Sequence, residues 1–179
     1  MTDHLSILDV KSRAKLAETS PEEMEAIIAQ LNDDDPRRAR DAAWVMTHFT
    51  QQQIASLQPR QDEFIDKVLH TDNTALRRLL MNIIERQEFH EEDLRTDFLD
   101  FCLAHMASPD EPPGVQTLCM KLAYRQCQFF PELLREFRLA LTLMPTDGYA
   151  VSITGLRRKL LKATSQLDKE AFEDLHLKE

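Results

Sequence analysis

Few residues in this chain of 179 have the types and spacing that chemistry requires. The densest set of ligand-type side chains is His90-Glu91-Glu92-Asp93. A helical zinc site needs two imidazoles one turn apart, as in H-E-x-x-H, so that both reach one ion. Here one histidine precedes three acids. An acidic first helical turn, drawn to the positive end of a helix, explains the run better than metal binding. His4, His48, His70, His105 and His176 are scattered, and His105 falls on an apolar stripe where a packed ring is expected. Cys102, Cys119 and Cys127 have no C-x-x-C spacing, which reads as reduced thiols in helices, with Cys119 inert on a core stripe. No serine sits in a G-x-S-x-G turn. Asp41 and Trp44 stand one helical turn apart, so a carboxylate and a large ring share one side of a helix. No catalytic residue, metal site or cofactor follows from these patterns, and the chain reads as a non-enzyme.

Composition narrows the classes further. The three glycines are Gly114, Gly148 and Gly155, with none in the first 113 residues. Loops that cradle phosphate need several glycines close together, which argues strongly against P-loop and Rossmann sites. The chain is 42% apolar and 30% charged, ordinary for a globular protein. Its formal net charge of -9 argues against a generally basic nucleic-acid coat and leaves room for a local basic patch. The first residues lack the apolar core of a signal peptide, and no apolar run approaches a membrane span. A soluble cytoplasmic location, with no membrane partner, is the expectation.

The elements that carry these residues are helices. Ser20-Pro21-Glu22-Glu23 reads as a helix start, with Ser20 as cap, Pro21 in the first turn and Glu23 closing a capping box. Met24, Ile27, Ile28 and Leu31 follow at helical spacing, and Asp35-Pro36 starts a partner carrying Ala39, Ala42, Ala43, Met46 and Phe49. The arrangement recurs. Phe64, Ile65, Val68 and Leu69 precede a break at residues 71–74, after which Leu76, Leu79, Leu80, Ile83 and Ile84 form a second stripe. A helix opening at His90 carries Leu94, Phe98, Phe101, Cys102 and His105, and its partner carries Val115, Leu118, Cys119 and Leu122. The last pair opens at Pro131 with Leu133, Leu134, Phe137 and Leu141, breaks at residues 145–148, and continues with Ile153, Leu156 and Leu160.

Arg40, Arg78, Thr117 and Thr154 hold comparable places in the second helices, at steps of 38, 39 and 37 residues. A period near 38 with two helices per unit marks a helical solenoid, because a lone pair cannot bury its apolar stripe. At this point the chain resembles the HEAT/armadillo family, on Asp34 and Arg40 and on Asp72 and Arg78, each pair six apart, and on the Asp35-Pro36 turn. The third and fourth units depart from that pattern, with Thr117 and Thr154 at the basic position. The resemblance implies an all-α, right-handed α–α superhelix of about four helix pairs. It also implies a ladder of Asp34, Arg40, Asp72 and Arg78 stacking between repeats. The expected division of the single domain is a capping helix over 1–19, repeats over 20–58, 59–89, 90–128 and 129–165, and a C-terminal cap or tail over 166–179. An irregular helical bundle is the competing architecture.

In such solenoids the second helices line the concave side, so their outward positions would form a groove. One column is Trp44, Asn82, Lys121 and Arg158; the next is His48, Arg86, Arg125 and Lys162. Both turn basic toward the C-terminal half, a surface suited to an acidic or phosphorylated segment of another protein. Solvated helix faces are the plainer reading of these charges, whereas Trp44 reads equally as an outward anchor of a binding interface and as a ring buried against the N-terminal helix. The function expected is therefore a recognition scaffold or adaptor. Its rival is a protein similar to the HEAT-like alkylpurine DNA glycosylases, whose groove carries tryptophans and an aspartate, here matched only by Trp44 and Asp41. That family is longer, and the net charge suits DNA poorly. Nucleic acid is thus the less favoured partner, and the sequence is silent on oligomeric state.

Overall fold

A computed structural model gives the structure of residues 5–145 and 147–165. These residues form ten α-helices and two short 3-10 turns, and no strand occurs among them. The cap or tail expected over 166–179, the first four residues of the N-terminal capping segment, and the histidines His4 and His176 lie outside the described residues. The chain divides into two compact units, Met1–Glu88 and Phe89–Glu179. The first holds α1 (Ile7–Leu16), α2 (Pro21–Gln30), α3 (Pro36–Met46), α4 (Gln51–Ser56), α5 (Gln61–His70) and α6 (Thr74–Glu85). There α3 packs on α1, α2 and α6, and α5 packs on α6. The second holds α7 (Thr96–His105), α8 (Pro113–Cys127), α9 (Pro131–Leu143) and α10 (Val151–Ala163). There α8 packs on α7, α9 and α10, and α9 packs on α10. The pairs α2–α3, α5–α6, α7–α8 and α9–α10 are those that the apolar period predicts.

The apolar stripes explain the packing. Ala39, Ala42, Ala43 and Met46 of α3 are buried, as are Leu76, Leu79, Leu80, Ile83 and Ile84 of α6. In the second unit Phe98, Val115, Leu118, Leu122, Phe137, Leu141, Ile153 and Leu160 are buried. Each large side chain withdrawn from water in this way contributes about 1.5–3 kcal/mol. Helix starts also follow the sequence. Asp35 Oδ1 accepts the Arg37 N–H at 2.9 Å ahead of Pro36, and Asn73 Oδ1 accepts the Leu76 N–H at 3.0 Å. Ser20 Oγ accepts the Glu23 N–H at 3.2 Å, but the box is not reciprocal: the Glu23 carboxylate receives Arg13 Nε at 2.8 Å instead.

Two elements differ from expectation. The helix expected to open at His90 begins at Thr96. Glu91–Asp93 make only a 3-10 turn, and Leu94 is extended (φ -61°, ψ 120°), which interrupts the helix before it can propagate. The short α4 was not foreseen; it starts at a capping box in which Thr50 and Gln53 each bond the other's backbone.

The helix C-termini follow a different rule. The last turn of any helix leaves carbonyls without intrahelical donors, and a left-handed residue, usually glycine, commonly satisfies them. Here Gly148 is the one described residue with positive φ, and it stands beyond the end of α9. Long side chains from neighbouring elements take over the task. Arg86, just past α6, donates to Thr47 O at 3.2 Å and Phe49 O at 2.6 Å at the end of α3. Arg77 of α6 donates to Val68 O and Thr71 O at the end of α5. Within the last pair the exchange is mutual: Arg138 of α9 donates to Leu161 O at 2.6 Å, and Arg157 of α10 donates to Leu141 O at 2.6 Å. Buried glutamines do the same, Gln53 reaching Ala14 O at 3.2 Å and Gln87 reaching Leu57 O at 2.9 Å.

The ladder of Asp34, Arg40, Asp72 and Arg78 does not form. Arg40 Nη2 and Nε bond Asp41 Oδ1 at 2.7 and 3.1 Å. Asp34, Asp72 and Arg78 are exposed, and none makes an ion pair among the described residues. Asp33 takes Arg38 at 2.8 Å. The neighbouring Asp41 is reached without ordering a second element, whereas exposed carboxylates in the turns gain little from pairing. Stability should therefore rest on the helix-end arginines. Arg86→Ala is expected to lose about 1–3 kcal/mol, because it strands partly buried carbonyls. Arg40→Ala is expected to lose less than about 1 kcal/mol. Urea unfolding of both variants checks this; equal losses would place the structural role elsewhere.

Candidate functional site

Charge is sorted by helix. The first helices α2, α5, α7 and α9 carry ten acidic residues (three, three, two and two) and three lysines or arginines, Lys67, Arg135 and Arg138. The second helices α3, α6, α8 and α10 carry eleven lysines or arginines (three, two, two and four) and two acids, Asp41 and Glu85. A chain of net charge -9 thus concentrates its cations on one helix of every pair.

In the first unit the second helices form a cleft of about 430 Å³. From the α3 side come Arg40, Trp44 and Thr47; from α6 come Ala75, Arg78, Leu79 and Asn82. Trp44 and Asn82, expected in one column, do share this cleft, and Trp44 is half-buried. Arg40 and Arg78, expected in the ladder, stand here as well. Their spacing already contained the signal, since Arg40 lies one turn before Trp44 and Arg78 one turn before Asn82. Asp41 is not among the lining residues, and its carboxylate is engaged by Arg40. The pairing of Asp41 with Trp44 that suggested a glycosylase is therefore not assembled.

The second column is dispersed. His48 lies beyond the end of α3, with Nδ1 3.1 Å from Trp44 O, and lines a separate cleft of about 290 Å³ with Lys11, Lys15 and Glu18. Arg86 caps α3, so its guanidinium is committed to backbone carbonyls rather than to a groove. In the second unit Lys121 and Arg125 stand one turn apart on α8, and Arg158 and Lys162 one turn apart on α10, the helix packed beside it. Lys121, Arg158 and Lys162 are exposed. Arg125 is half-buried, its guanidinium 4.8 Å from the centroid of the Phe89 ring, a cation–π contact.

The remaining candidates have structural surroundings. His105 stacks on Phe101 at 4.0 Å between ring centroids, and its Nδ1 lies 2.8 Å from Glu111 Oε1. Among the described residues no group of three or more His, Cys, Asp and Glu could hold a metal ion, and no helix is long and apolar enough to cross a membrane. The family model of the HEAT repeat domain matches residues 1–164. No curated protein and no solved structure matches the chain.

The three thiols are buried. Burial pushes the Cys102 thiol well up, with the neighbouring Cys119 adding to it. Burial, and secondarily the charge of Glu136, pushes Cys127 from 9.0 to about 12. A thiol of raised pKa keeps its proton in the folded state while the unfolded chain loses it. Its contribution to stability is full below pH 9 and declines as pH rises toward 12. Two outcomes are expected. Ellman's reagent should label the folded protein far more slowly than the unfolded protein, because only exposed thiolate reacts. Stability should also fall more gently between pH 9 and 12 in Cys127→Ala than in the parent. Rapid labelling of the folded state would refute the inert reading.

Proposed function

The chain belongs to the HEAT repeat domain family, and on that premise we propose that it is a cytoplasmic, non-catalytic recognition scaffold. Within each unit the second helices offer their cations to a segment of another protein, acidic or phosphorylated. HEAT repeat domains generally mediate protein interactions and are generally non-catalytic. The observation that carries the reading is the sorting of charge. Eleven cations on α3, α6, α8 and α10 stand against two acids in a chain that is otherwise strongly acidic, and although Arg77 and Arg157 are held by carbonyls, Arg78, Arg158 and Lys162 remain exposed. Random solvation of helix faces gives no reason for one helix of each pair to be basic and its partner acidic. An anionic ligand does, because a face of one sign raises the local concentration of its counter-charge. The basic residues Arg158 and Lys162 of the second unit and Arg78 of the first are exposed and so available to such a ligand.

The test uses Arg158→Glu with Lys162→Glu, both exposed positions on α10. The parent protein is expected to recover a defined acidic or phosphorylated protein by affinity purification, with recovery falling as salt rises. The double reversal should lose that protein while keeping the parent's unfolding midpoint. Retention of the partner by the reversed protein would refute the reading. Tight binding of generic duplex in low salt, with a steep salt slope, would move it to nucleic acid.

A further inference from the structure

The cleft between α3 and α6 has a composition that selects among acidic segments. Trp44 presents a half-buried indole, and Leu79 and Ala75 give the opposite wall an apolar surface. A volume of about 430 Å³ sits low in the range of roughly 300–1,000 Å³ typical of ligand pockets. It suits one large side chain with its backbone rather than a folded element. Arg40 and Arg78 also line the cleft, and no acidic side chain does. Arg40 is paired only with its neighbour Asp41, and Arg78 is exposed and makes no ion pair among the described residues. Asn82 donates its Nδ2 to Arg78 O at 2.9 Å, which leaves its amide oxygen as an acceptor for a backbone N–H.

We propose that this cleft is the anchor subsite for an extended acidic peptide. One aromatic side chain of the peptide lies against the Trp44 indole, and a neighbouring carboxylate meets Arg78. The proposal rests on the scaffold reading above and narrows it. Charge complementarity decides the occupant: a basic or neutral segment would leave Arg78 unanswered, while an aromatic ring gains from stacking on the indole beyond the area it buries.

The chain has a single tryptophan, so its emission reports on this cleft alone. The 179-residue chain is titrated with the peptide acetyl-Glu-Asp-Phe-Asp-Glu-amide. A saturable change in emission is expected. Replacing the peptide's phenylalanine by alanine should weaken binding about 10-fold or more, the scale of an aromatic anchor. A peptide with lysines in place of the acids should not bind. Arg78→Glu lies on the surface and should leave the unfolding midpoint unchanged, while weakening the acidic peptide about 5-fold or more. Trp44→Ala, followed by calorimetry because the reporter is lost, should bind at least as poorly. The subsite is wrong if emission does not saturate, if the lysine or alanine peptide responds equally, or if Arg78→Glu is without effect. If the peptide fails while Arg158→Glu with Lys162→Glu still loses the protein partner, the subsite alone falls. If both fail, the scaffold reading falls with it.

Discussion

The carbonyl groups at the ends of the helices set the terms for the rest of this structure. Each helix must find donors for its last turn, and a chain with three glycines cannot turn left-handed at every end to supply them locally. Local backbone N–H groups close the ends of α2 and α6, and elsewhere donors come from across the packing interface: Arg86 for α3, Arg77 for α5, Arg157 for α9, Arg138 for α10, with Gln53 and Gln87 for α1 and α4. These bonds are charge-assisted or buried, the kinds in which a missing partner is most costly. Apolar stripes bring the helices together without fixing how far one slides along another. A guanidinium fork placed on two particular carbonyls does fix it.

The same constraint sorts the cations. Arg86, Arg77 and Arg157 are held by backbone carbonyls. Arg78, Arg158 and Lys162 are exposed. Adjacent positions divide the work: in Arg77-Arg78 and in Arg157-Arg158 the first residue ties helix ends and the second faces water. A count of basic residues on the second helices therefore overstates the charge available to a ligand. The division accounts for these two doublets, while Arg37-Arg38 of α3 is exposed at both positions.

Much of the architecture was legible because it rests on local chemistry and on periodicity. Pro21, Pro36 and Pro131 open helices, Asp35 and Asn73 cap them, and the step near 38 residues recovers the pairs. The family match over residues 1–164 supports the helical-repeat architecture. Failures fell where local signals competed. The acids after His90 resemble a helix start, yet Leu94 is extended and the helix waits for Thr96. Gln51–Ser56 holds too few apolar residues to show a period, so α4 was missed. Arg40 was assigned to a turn aspartate by analogy, but Asp41 was nearer. Of the expected groove, Trp44 and Asn82 line one cleft, while His48 and Arg86 do not join them. Which carbonyl Arg86 would reach, 37 and 39 residues away, depends on tertiary packing, and one sequence contains no signal for it.

The reciprocal clasp between α9 and α10 bears on how such a chain can change over time. Arg138 holds the end of α10 and Arg157 holds the end of α9, so each helix carries the other's terminus. Neither can be exchanged for a foreign helix without exposing the end of the one that remains. For α9 and α10 the smallest piece that can be duplicated, deleted or transplanted intact is therefore the pair, whereas Arg86 binds the pair α5–α6 to the end of α3 in the pair before it. Insertions are tolerated best outside such clasps, and the unit of inheritance is the unit of hydrogen-bond closure, one pair at α9–α10 and more than one where Arg86 reaches α3.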